Sequence, residues 1–214
     1  MIYIITGHYG SGKTEIALNL ALSLTNPIII DLDIVNPYFR TKDAQKMLVR
    51  EGIRLIAPEF ANTNVNMPTL PPEIFGALES ENDVVIDVGG DDDGAIALGQ
   101  YHKYFEDKPY KMYFVINKRR PLTSNSQDTI RLMRDIEGAS RLKVTGIINN
   151  TNVKGETTAA DILDGQRLAD EISQITGIPV LAVSGIRSIL ADLKTDIKKM
   201  PLDLYLTLPW ERGV

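Results

Sequence analysis

GHYGSGKTEIALNLALSL, residues Gly7 to Leu24, is the stretch on which the reading of this chain turns. Gly7-His8-Tyr9-Gly10-Ser11-Gly12-Lys13-Thr14 fits G-x-x-x-x-G-K-[ST] at every fixed position. The glycines let the backbone curl until successive N–H groups face an anion, and the helix that follows adds its positive N-terminus. Gly7, Gly10, Ser11 and Gly12 then form a phosphate cradle. Lys13 neutralises the β- and γ-phosphates, and the Thr14 hydroxyl is a ligand for Mg²⁺. The loop falls between an apolar strand, Ile2–Thr6, and a helix expected over Thr14–Leu24. That helix places Ile16, Leu20 and Leu24 on one face, with Ala17 and Ala21 allowing close packing beside it.

The same alternation of strand and helix continues along the chain. Strands are expected at Ile2–Thr6, Ile28–Leu32, Ile53–Ala57, Val84–Val88, Met112–Asn117, Val144–Asn149 and Val180–Val183. Helices are expected at Ser124–Glu137, Thr158–Thr176 and Ile186–Leu193. Continuous apolar strands such as PIIID and DVVID suit a parallel sheet covered on both faces. The pattern predicts an α/β fold: a doubly wound, mostly parallel open sheet of about seven strands with helices on both faces. With 214 residues and no linker or repeat, residues 1–214 read as a single nucleotide-binding domain. Ligands of such sheets sit outside the carboxyl ends of the strands, where the unusual residues of this chain fall.

Bulk composition removes several classes of function. Twenty-eight acids against 23 bases give a net charge of −5, which argues against a nucleic-acid binder. The basic run Lys118-Arg119-Arg120 reads as a solvated turn. The chain has no cysteine, so it can hold no thiolate zinc site or iron–sulfur cluster. MIYIITG has no basic leader, and no apolar run approaches the roughly 18 residues of a spanning helix. The expectation is a cytoplasmic protein.

Asp87 ends the strand VVIDV at the active edge, suited to bind Mg²⁺ through water or to hold Thr14. Gly90 follows in a D-x-x-G spacing, where a bare N–H meets the γ-phosphate. Asp91, Asp92 and Asp93 come next; three carboxylates beside a triphosphate would repel it, so they are expected to face solvent or a basic partner.

With DLDIVNPYFR (Asp31–Arg40) added, the sequence resembles a known group. The phosphate loop, D-x-D after the second strand, D-x-x-G after the fourth and GIINN after the sixth occur in one order. That order is similar to the P-loop domain shared by Min- and Par-type partition ATPases, the nitrogenase iron protein, metallocentre-maturation ATPases, cobyrinic acid synthase and dethiobiotin synthetase. The resemblance covers nearly the whole chain, although only these motifs are specific. It implies an ATP-dependent P-loop domain of a kind that is often dimeric around nucleotide. Asp33 then resembles the acid that positions attacking water, and a turn-capping role is the alternative. Asn150 resembles the amide that reads adenine, with Asn149 as the alternative. Two departures stand out. Min- and Par-type proteins carry a lysine one residue after the first glycine of the loop, where this chain has His8. The cysteines that hold metal in the nitrogenase iron protein and some maturation ATPases are missing.

INKRR (Ile116–Arg120) invites comparison with the guanine-reading N-K-x-D, but position 120 is arginine and has no acceptor. ATP is therefore the expected nucleotide. Two segments are candidates for choosing a partner. In Pro58–Pro72, Asn62, Asn64 and Asn66 suit a small polar substrate, whereas Phe60 and Met67 suit a protein. In Asn36–Arg40, Tyr38, Phe39 and Arg40 suit an interface. The resulting expectation is a Mg·ATP-dependent switch acting on an unknown protein partner or maturation client, with no nucleic acid and no membrane. The alternative is an ATP-dependent small-molecule kinase or ligase of the dethiobiotin synthetase or cobyrinic acid synthase type.

Overall fold

The computed structural model of the chain describes residues 1–33, 45–57, 72–90, 92–106 and 108–205. Its elements run β1 (Ile2–Gly7), α1 (Lys13–Leu22), β2 (Ile28–Leu32), α2 (Gln45–Arg50), β3 (Arg54–Ile56) and α3 (Glu73–Glu79). They continue with β4 (Val84–Val88), α4 (Asp92–Gly99), α5 (His102–Glu106), β5 (Tyr110–Ile116), α6 (Ser126–Ser140) and β6 (Gly146–Asn149). The last are α7 (Ala159–Thr176), β7 (Val180–Ile186), α8 (Arg187–Ala191) and β8 (Lys199–Leu202). All eight strands form one parallel sheet in the order β3-β2-β4-β1-β5-β6-β7-β8.

The expected sheet is present, with one strand more. β8 reads KMPL; its lysine and proline hide it from a search for apolar runs, yet both suit a strand at the sheet edge. Side chains alternate between faces with period two. Ile4, Ile30, Val84, Ile86 and Phe114 enter the larger core, with Leu98 of α4, Met133 of α6 and Ile172 of α7. Ile5, Ile29, Val85 and Val115 point the other way, onto Ile16, Ala17, Leu18 and Ala21 of α1. Ile4 and Ile5 are fully buried on opposite faces, each burial worth about 2 kcal/mol. Covering both faces is what makes these strands read as unbroken apolar runs.

Helix ends follow local chemistry. Asn125 caps α6 by accepting the Asp128 N–H, and Thr158 and Asp161 form a reciprocal capping box on α7. Gly177 then ends α7 in the left-handed conformation. The acidic run begun by Asp91 leads straight into α4, where carboxylates favour the helix N-terminus and Asp93 is exposed. Among the described residues no helix is long and apolar enough to cross a membrane.

Candidate functional site

The strand order reverses around β1, which lies between β4 and β5, so the loops after β1 and β4 meet at the carboxyl edge. The loop after β1 is the Gly7–Thr14 segment. Its glycines adopt φ of 141° (Gly7), 72° (Gly10) and 90° (Gly12), the left-handed region. The Ser11 N–H donates to the His8 carbonyl at 3.1 Å, and Gly12 opens α1 without any side-chain cap. The positive end of the α1 dipole therefore opens at this loop, which favours an anion there. Lys13 and Thr14 are buried, and the Lys13 ammonium donates to the His8 carbonyl at 3.2 Å.

Opposite them lies an acidic pair. Asp31 and Asp87 are register partners on β2 and β4, and alternation puts both on the α1 side of the sheet. Each is 1% exposed. Burial, then the charge of Asp31, pushes the Asp87 carboxyl up to about 8, against opposing pulls from Lys13 and the Thr14 hydroxyl. The Asp33 N–H closes a turn onto Asp31 Oδ1 at 2.9 Å, and the Asp33 charge adds to the elevation at Asp87. Gly90 packs directly against the phosphate loop. A Cβ there would lie 2.5 Å from the Tyr9 nitrogen and 2.8 Å from Lys13 Nζ, so only glycine permits this approach.

Asp87 Oδ1, Ser11 Oγ and Thr6 Oγ1 are buried with no hydrogen-bond partner among the described residues. A carboxyl group left in that condition, beside a second buried acid and a threonine hydroxyl, fits a hard divalent cation such as Mg²⁺, whose charge would favour its ionised form. Among the described residues no three His, Cys, Asp or Glu side chains group as a metal cage. Phosphate oxygens and water would therefore complete the shell around Thr14 and Asp87, the usual arrangement for Mg²⁺. A stability prediction follows. A carboxyl raised to about 8 in the folded state stays protonated while the unfolded chain ionises near 4, so it erodes stability between those pH values. Asp87→Asn should raise the melting temperature of the ligand-free protein. The gain should open between pH 4 and 8 and level off above. A gain that is the same at pH 5 and pH 8 would refute the buried-acid account.

Asn150 is 3% exposed; its Nδ2 donates to the Ser11 carbonyl at 2.8 Å and its Oδ1 accepts from Ser184 Oγ at 2.9 Å. Asn149 instead serves α7, donating to the Ile162 carbonyl at 3.0 Å and to Gln166 Oε1 at 3.2 Å. The run Lys118–Arg120 forms a turn with Arg119 exposed, as the sequence reads, but its side chains are engaged with the protein. Lys118 pairs with Asp164 at 2.8 Å and Arg119 with Asp161 at 2.6 Å, while Arg120 Nε donates to the Gly10 carbonyl at 3.0 Å. Asp161 and Asp164, three apart on one face of α7, were the available signal for this pairing. Burial, then Lys13 and Arg120, hold the His8 imidazole below its ordinary pKa, which keeps it neutral. Asn36–Arg40, the 58–71 part of the Asn-rich loop and Asp91 lie outside the described residues.

No protein-family description and no curated protein sequence matches the chain. Solved structures do. The cell division protein FtsY from Thermotoga maritima superposes with a TM-score of 0.55 at 19% identity, over 86% of this chain and 61% of that one. The signal recognition particle 54 kDa protein from Aeropyrum pernix K1, in complex with GDP, gives 0.54 at 18% identity, over 84% and 40%. The signal recognition particle receptor FtsY from Elizabethkingia anophelis, also with GDP, gives 0.51 at 17%, over 86% and 56%. This chain therefore spans 40 to 61% of the length of these three chains. The likeness establishes the α/β fold of P-loop NTPases, built on a single parallel sheet.

Proposed function

We propose that this chain is a Mg·ATP-binding P-loop ATPase whose nucleotide state acts as a switch on a protein partner or maturation client. One observation carries the reading: a complete cradle puts buried Lys13 and Thr14 against the buried, incompletely satisfied Asp87. The Min- and Par-type resemblance supports it through the order of its motifs and adds the proposals of a nucleotide-dependent homodimer and a cytoplasmic setting, away from nucleic acid and membrane.

In this reading the backbone from Gly12 onward receives the phosphates at the start of α1, Lys13 neutralises their charge, and Gly90 closes the γ-phosphate side. Asp33 orients the attacking water. Thr14 and Asp87 would hold Mg²⁺, which supplies charge compensation on the phosphate oxygens. His8 stands where the Min- and Par-type proteins carry their extra lysine, and a neutral imidazole there brings no charge. Turnover without a partner is accordingly slow.

Two of the similar solved structures hold GDP. For this chain we favour adenine. A guanine reader of the N-K-x-D kind needs an acceptor at the fourth position, and Arg120 there supplies only donors. Asn117 and Lys118 of the same run are engaged with Asn152 and Asp164. The test is hydrolysis and competition with Mg·ATP and Mg·GTP side by side, before and after adding fractionated cell extract. The expected result is slow, ATP-preferring phosphate release accelerated by a protein fraction. GTP binding tenfold tighter than ATP would overturn the base assignment, and no stimulation by any fraction would overturn the switch.

A further inference from the structure

Two consecutive carbonyls of the phosphate loop are held from outside by distant side chains. Arg120 Nε donates to Gly10 C=O at 3.0 Å, across 110 residues, and Asn150 Nδ2 donates to Ser11 C=O at 2.8 Å, across 139. We infer that Arg120 and Asn150 are positioning residues that pre-set the anion cradle, and that Asn150 acts through the loop rather than on the nucleobase. The inference rests on the nucleotide-binding reading above.

The physical basis is the planarity of the peptide unit. A carbonyl fixed on one side of a trans peptide sends the next residue's N–H to the other. Asn150, holding Ser11 C=O outside, directs the Gly12 N–H inward, where an anion collects it. Arg120, holding Gly10 C=O, works with the Ser11 N–H turn bond to the His8 carbonyl and fixes the adjoining unit from both ends. Without these donors the loop must find its conformation at the moment of binding, which costs affinity.

Both struts are themselves anchored. Asn150 is locked by Ser184 of β7 through its Oδ1, and its N–H donates to the Ile116 carbonyl at 2.8 Å. The amide thus has both ends committed inside the protein, and at 3% exposure it offers no face to a base. Arg120 sits on a platform whose other two cations are tied to α7. Lys118 meets Asp164 at 2.8 Å, and Arg119 meets Asp161 at 2.6 Å and Asp164 at 3.3 Å. The glycines of the loop match this arrangement. A Cβ at residue 12 would lie 2.2 Å from Asn150 Nδ2, and one at residue 10 would lie 3.0 Å from Arg120 Nε. Gly12 is therefore required for the approach of its strut as well as for its φ of 90°.

Calorimetry with three probes separates the possibilities: Mg·ATP, Mg·GTP and inorganic tripolyphosphate, which has no base. Arg120→Ala removes one donor together with a positive charge, and Asn150→Leu removes the other donor with no change of charge and nearly the same side-chain shape. Each should weaken all three probes by roughly 10-fold, the scale of one lost hydrogen bond, and leave the ATP-to-GTP ratio unchanged. Melting temperatures identify any loss due to unfolding. Arg120 is only half-buried, so its variant stays informative even if the Asn150 variant folds poorly. Full tripolyphosphate affinity with an altered ATP-to-GTP ratio would overturn the inference in favour of base reading. Unchanged affinity for every probe would overturn it outright. If the unsubstituted protein binds none of the three, the nucleotide reading itself fails, and this inference with it.

Discussion

Replacing Lys13 with alanine is expected to weaken Mg·ATP binding by about 100-fold or more, the largest effect of any single substitution on affinity. A lysine bridging two terminal phosphates makes two charge-assisted hydrogen bonds, each contributing roughly 1.5–3 kcal/mol, and about 2.7 kcal/mol is already 100-fold. The ammonium is buried, so solvent does little to screen it. It donates to the His8 carbonyl at 3.2 Å, a neutral acceptor on the phosphate loop itself. Lys13 also holds Asp87 down against burial and Asp31, so its removal should raise the Asp87 carboxyl further. Calorimetry at pH 8, with circular dichroism to verify folding, is the measurement. Undiminished ATP affinity in a folded Lys13→Ala protein would remove the phosphate cradle from this chain.

How far the site could be read from the chain depended on how local each part was. β1, β2 and β4 lie where IYIIT, IIIDL and VVIDV place them, because strands covered on both faces are apolar throughout. The phosphate loop and Asp87 were legible because each is a contiguous motif whose chemistry needs that spacing. α2, α3 and α5 were missed: with 6, 7 and 5 residues they are too short for periodicity to emerge. α4 was hidden because its first residues read as an acidic run beside a triphosphate. The supports of the cradle were illegible for another reason. Arg120 and Asn150 reach the loop, and Ser184 reaches Asn150, only through the packing of β5, β6 and β7 in the same sheet as β1, and no local pattern encodes contacts between residues more than 100 apart in sequence. Asp31 was visible in D-x-D, but its pairing with Asp87 depends on the β2–β4 register, which local pattern does not specify. The Min- and Par-type resemblance rests on motifs of the same local kind. The similar solved structures share the fold at 17 to 19% identity.

Asp33→Asn should lower ATP turnover by about 100-fold while leaving ATP affinity near that of the unsubstituted protein, the scale expected when a carboxylate that orients or deprotonates water is lost. Asparagine keeps the shape and removes the charge. The backbone turn survives too, because the bond that closes it runs from the Asp33 N–H to Asp31 Oδ1 at 2.9 Å and does not use the substituted side chain. Relief of like charge near Asp87 acts in the opposite direction, favouring ionisation of that carboxyl and hence Mg²⁺ binding. Measuring turnover at saturating Mg²⁺ separates a lost water-positioning group from a weakened metal site. The starting rate should be slow, since the neutral His8 brings no cation to the transition state. A cation supplied by a partner, or by Arg40 of the chain itself, can add on the order of 10³-fold. Single-turnover hydrolysis by both proteins, with affinity measured separately, is the decisive comparison. Equal rates would make Asp33 a turn residue and return the water to some other group. Rapid phosphate transfer to a small metabolite, with little release to water, would instead establish the kinase or ligase reading, because the same cradle serves either acceptor and only the fate of the phosphate separates them.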